Sequence, residues 1–64
     1  MDKQLINEIL DSLKAGNMSV YFVKREDFLL FRTVLTDRED FKHFRGIAQR
    51  GGDAVFTYQA VPRS

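Results

Sequence analysis

In the first segment Leu5, Ile6, Ile9, Leu10 and Leu13 recur at helical spacing, while Asp2, Lys3, Glu8, Asp11 and Lys14 take the opposite face. The pattern predicts an amphipathic helix with Asp2 as its N-cap and Gly16 or Asn17 as the left-handed residue that ends it. The next run, MSVYFVK at 18–24, is short and rich in β-branched and aromatic residues, which predicts a strand. REDFLLFRTVLT can be read two ways. As a strand it would form a hairpin with 18–24, but the intervening KRED lacks the Gly or Asn that tight hairpin turns favour. As a helix it sets Glu26 and Asp27 in the first turn, where they complement the macrodipole, and gathers Phe28, Leu30, Phe31, Val34 and Leu35 on one broad face. Only Leu29 falls outside that face, so a helix over 26–35 fits better.

Thr36 followed by Glu39 has the form of a capping box and predicts a further helix through TDREDFKHFRGIAQRGG, with Phe41, Phe44, Ile47 and Ala48 as its apolar stripe. Gly46 counts against that helix by about 1 kcal/mol relative to alanine, and Gly51 and Gly52 would end it. The last run alternates, with Ala54, Phe56, Tyr58 and Ala60 on one face and Val55, Thr57, Gln59 and Val61 on the other, as a half-buried strand does. The expected fold class is α+β: one compact domain over 1–61 in the order α-β-α-α-β, with a thin two-stranded sheet covered by helices and a frayed tail at 62–64. Were 26–35 a strand instead, the fold would be an N-terminal helix on a three-stranded antiparallel sheet.

The chain has 64 residues and no cysteine. So small a domain buries only about 60% of the surface its unfolded chain exposes, and neither disulfides nor thiolate metal sites can reinforce it. Two open sheet edges, with no proline or inward-pointing charge apart from the terminal Lys24, invite pairing, and a homodimer is expected. The opening stretch does not read as a signal peptide, and the apolar runs VYFV and FLLF fall well short of the roughly 20 residues that cross a bilayer. A soluble cytoplasmic protein is expected. Ten Lys and Arg against nine Asp and Glu leave a net charge of +1, so no global field draws the chain to nucleic acid or anionic lipid.

RGGDAVFTY, 50–58, invites comparison with the base-stacking strands of RNA-recognition sheets, but Gly52, Asp53 and Ala54 stand where that signature wants an aromatic. Phe56 and Tyr58 read instead as core residues after a turn. GIAQRG has the glycine spacing of a phosphate loop without the Lys and the Ser or Thr that must follow. His43 is the single histidine; Glu39 and Asp40 could orient it, yet no other residue has ligand spacing, and no nucleophile elbow presents a serine. A helix C-terminus and Glu39 four positions before it account for His43 without chemistry. No catalytic residue, cofactor or metal is expected, and a chain this small should have little room for a concave site of about 300 Å³ or more.

Six Phe and two Tyr exceed what one small layer buries. Exposed aromatics mark protein interfaces, which points to a non-enzymatic interaction or regulatory protein that binds another protein, with Phe28, Phe31, Phe41, Phe44, Val55 and Val61 as candidate interface residues. The alternative is a nucleic-acid-associated module that holds phosphates through Lys42, Arg45 and Arg50.

Overall fold

The computed structural model describes residues 1–62. Its elements are helix α1 (Lys3–Ala15), strand β1 (Tyr21–Val23), helix α2 (Arg25–Thr36), strand β2 (Phe44–Ala48) and strand β3 (Ala54–Tyr58), with short 3₁₀ turns at Phe41–His43 and Arg50–Gly52. The class is α+β, and the sheet is three-stranded and antiparallel in the order β1-β3-β2. Both helices lie on one face of it. Of the expected tail at 62–64, residues 63 and 64 lie outside the described residues.

α1 forms as its periodicity predicts. Asp2 accepts a hydrogen bond from the Leu5 N–H at 2.8 Å, and Gly16, at φ 83°, closes the helix in the left-handed conformation. Ile6, Ile9, Leu10 and Leu13 form its buried stripe. α2 is the helix expected over 26–35. Its buried stripe is Phe31, Val34 and Leu35, while Phe28 is half-buried and Leu29 and Leu30 are exposed. Lys24 gives α2 no side-chain cap; Asp53 does so from 28 positions away, its carboxylate accepting the Arg25 N–H at 2.7 Å.

The helix expected after Thr36 does not form, and a strand replaces it. The Thr36 hydroxyl donates to the Thr33 carbonyl as the last residue of α2, so it cannot cap a new helix. Arg38 then ties the loop to α1: its guanidinium donates to Asn7 at 2.9 Å, to Asp11 at 2.8 Å and, through two nitrogens, to Asp40 at 2.9 and 3.1 Å. Residues 44–48 pair along their whole length with β3, Gly46 opposite Phe56. A β-carbon on Gly46 would lie 2.8 Å from the Phe56 ring, so this glycine, a defect in a helix, is what lets the ring pack across the strand pair. The third strand therefore comes from 44–48 and not from 26–35.

Gly51 and Gly52, at φ 82° and 91°, shape the connection between β2 and β3 rather than ending a helix. Gln49 donates to the Asp53 carbonyl at 2.7 Å and closes that turn. In the alternation of β3, Ala54 and Phe56 are buried and Tyr58 is half-buried toward the helices, as the sequence implied. The Phe31 ring meets Phe56 at 4.8 Å and Tyr21 at 5.9 Å, so one aromatic of α2 joins strands β1 and β3.

Candidate functional site

The two helices do not cover the sheet evenly. α1 packs against α2 and β3, and α2 against β1, which leaves the helix-facing side of β2 partly open. There the structure has a groove of about 530 Å³, more than the sequence led one to expect of so small a chain. One wall is a single stripe of α2, in which Phe28, Arg32 and Leu35 follow at helical spacing. The floor is the helix-facing side of β2 and β3, with Phe44, Gly46, Ala48 and Phe56. Phe41 also lines it, as do Gly52 and Asp53. Gly46 and Ala48 have almost no side chain, and this keeps the groove open.

The groove runs beside an unpaired edge. In the β2 to β3 ladder Gln59 donates to the His43 carbonyl and Gln49 to the Asp53 carbonyl, both at 2.7 Å. Odd-numbered residues of β2 therefore bond inward to β3, and even-numbered residues present their backbone groups outward. The Phe44 N–H is taken by the Phe41 carbonyl. What faces outward is the N–H and C=O of Gly46 and Ala48 and the C=O of Phe44.

The candidate interface residues are divided by the structure. Phe28 and Phe41 are half-buried and line the groove. Phe31 and Phe44 are 0% and 1% exposed; they belong to the core and offer a partner no free surface. Val55 lies on the opposite face of the sheet between Phe22 and Ile47, and Val61 is exposed after β3. Lys42, Arg45 and Arg50 are all exposed but do not share one patch. Lys42 and Arg50 lie beyond opposite ends of β2, whose five residues span about 13 Å. Arg45 points to the face away from the helices, like Ile47.

His43 is held by its surroundings. Its Nδ1 donates to the Gln59 carbonyl at 2.8 Å, and its ring stacks on Tyr58 at 5.3 Å. Only a three-residue 3₁₀ turn ends at His43, so the contact with an α-helix macrodipole expected of it does not form, and Asp40 faces Arg38 instead. Among the described residues no group of three His, Cys, Asp or Glu is placed to hold a metal ion. The sharpest electrostatics belong to Arg38 and Asp40, which are structural. The hydrogen bond from Arg38, reinforced by its charge and by Lys14, holds the Asp40 carboxyl below its ordinary range despite burial. Asp40 and Asp11 in turn make Arg38 hold its proton more tightly than usual, and the guanidinium sits 5.9 Å from the centre of the Phe44 ring. The sequence alone singles out no role for Arg38, since no local pattern marks a contact 31 positions away.

The fold and site define a small α+β module with an aromatic groove alongside an open strand edge. The chain belongs to the YkzS-like protein family, whose model matches residues 3–57. That stretch contains both helices, all but the last residue of the sheet, and the whole lining of the groove. No curated protein and no solved structure matches the chain. No helix among the described residues is long and apolar enough to cross a membrane.

Proposed function

We propose that this chain is a non-enzymatic interaction or regulatory protein, which binds another protein through the groove between α2 and β2. The observation that carries the reading is a concavity flanked by the half-buried Phe28 and Phe41 that opens on unpaired backbone. Aromatic side chains supply large contact area at low conformational cost, and a groove of this kind is a site that partners fill. Absence of cysteine supports a reducing, cytoplasmic setting. Capture from a nuclease-treated host lysate tests the proposal. A protein partner should survive nuclease treatment and replacement of Lys42, Arg45 and Arg50 by Gln, and should be lost with Phe28→Ser, provided the amide spectrum shows that this variant folds. Capture that depends on nuclease-sensitive material and on the three cations would overturn it in favour of a nucleic-acid-associated module.

The opposite face of the sheet supports a homodimer. Phe22, Val55 and Ile47 stand side by side across the three strands in register, and Phe22 and Ile47 are 52% and 44% exposed. Two such faces packed together would extend a core that 64 residues keep small. Sedimentation equilibrium should give a dimer at micromolar concentration, and Val55→Lys should shift it to monomer with both helices intact. A monomer at every concentration would remove this proposal without touching the groove.

A further inference from the structure

The edge of β2 and the groove beside it fit one kind of occupant. Gly46 and Ala48 direct both N–H and C=O away from the sheet, and these residues have the smallest side chains that β2 contributes to the groove floor. Alternate outward backbone groups along an antiparallel edge are matched by another strand, whose own side chains alternate at about 6.8 Å. Side chains of such a strand on the helix side would enter the space that Gly46 and Ala48 leave open, toward Phe28 and Phe41.

Charge chooses among strands. Arg32 lies on the α2 wall of the groove, exposed, and among the described residues it has no carboxylate within salt-bridge distance. The carboxylate of Asp53, also in the lining, accepts the first N–H of α2. A second copy paired edge to edge about a two-fold axis would bring two Arg32 side chains toward one seam. An acidic segment would neutralise Arg32 instead. Resting on the groove reading above, we propose that the site takes an extended peptide segment of a partner protein, which adds to β2 as a fourth strand and carries an apolar and an acidic side chain at alternate positions.

Selection of the full chain against a displayed library of random linear peptides tests this. Selected sequences should pair an apolar residue with an acidic one two positions away. In a selected peptide, N-methylation at alternate amides should weaken binding about tenfold or more, while methylation of the intervening amides leaves it unchanged. Ala48→Pro removes one outward N–H without touching the bonds to β3 and should weaken binding similarly, and Arg32→Glu should turn the preference from acidic to basic peptides. Methylation effects without alternation, or binding indifferent to Arg32→Glu, would overturn strand addition. So would a library that yields nothing while protein capture still depends on Phe28; the groove reading would then stand and this one would not. A dimer in which the Gly46 and Ala48 amides are protected with no peptide present would assign the edge to a second copy and overturn the peptide occupant.

Discussion

Phe31→Ala is expected to remove a large part of the chain's stability at room temperature. Phe31 is wholly buried and its ring touches Tyr21 and Phe56, so truncation opens a cavity between α2 and two of the three strands. Phe to Ala in a packed core costs about 3–5 kcal/mol. Folded domains have about 0.05–0.15 kcal/mol of stability per residue, so a chain of 64 has about 3–10 kcal/mol in all. Leu29→Ala makes the comparison within the same helix. Leu29 is 73% exposed, and its loss should change stability by no more than about 0.5 kcal/mol. Urea denaturation followed by circular dichroism measures both. Equal effects would mean that α2 does not present Phe31 to the sheet.

Arg38→Ala is the second large loss, about 2 kcal/mol, because it removes charge-assisted hydrogen bonds to Asn7, Asp11 and Asp40 and leaves a mostly buried Asp40 carboxylate without its main partner. The loss should depend on pH. Asp40 has its pKa lowered in the folded chain, so its contribution is present above the ordinary value of 3.8 and disappears as pH falls through the lowered value. The wild type should lose stability over that acid range, and Arg38→Ala should lose less there, since Asp40 no longer gains from ionisation. Parallel acid limbs for the two proteins, followed by denaturant midpoints, would show that the clamp does not form.

These two residues mark where sequence reasoning succeeds and where it stops. Phe31 lies on a stripe with Val34 and Leu35, and α1, α2 and the core face of β3 are all legible because burial there follows a period of 3.6 or 2. The sequence of β2 reads as helix for a local reason. Thr36 and Glu39 have capping-box form, and Phe41, Phe44, Ile47 and Ala48 fit a helical stripe as well as they fit anything; burial follows neither period, for only Phe44 is buried. What decides the matter is pairing with β3, a contact between separate segments. One signal was present: two glycines before an alternating strand favour a hairpin and so call for a strand ahead of them. Gly46 was visible as a misfit, and its physical reason, the Phe56 ring, was not. The excess of aromatic residues singles out Phe28 and Phe41 no more than Phe31 and Phe44, which are core. The groove itself was illegible, since it exists only because β2 is a strand with small residues facing α2. Arg38 and Asp53 act across 31 and 28 positions, beyond any local pattern.

Amide hydrogen exchange at β2 tests the groove and its open edge most directly, measured on the free chain and on its complex with the protein partner. Gly46 and Ala48 should exchange fast in the free chain and become protected in the complex, while Arg45 and Ile47, already bonded to β3, stay slow in both. Unchanged exchange at Gly46 and Ala48, with new protection confined to the opposite face of the sheet or to Lys42 and Arg50, would contradict the assignment of the partner to this edge.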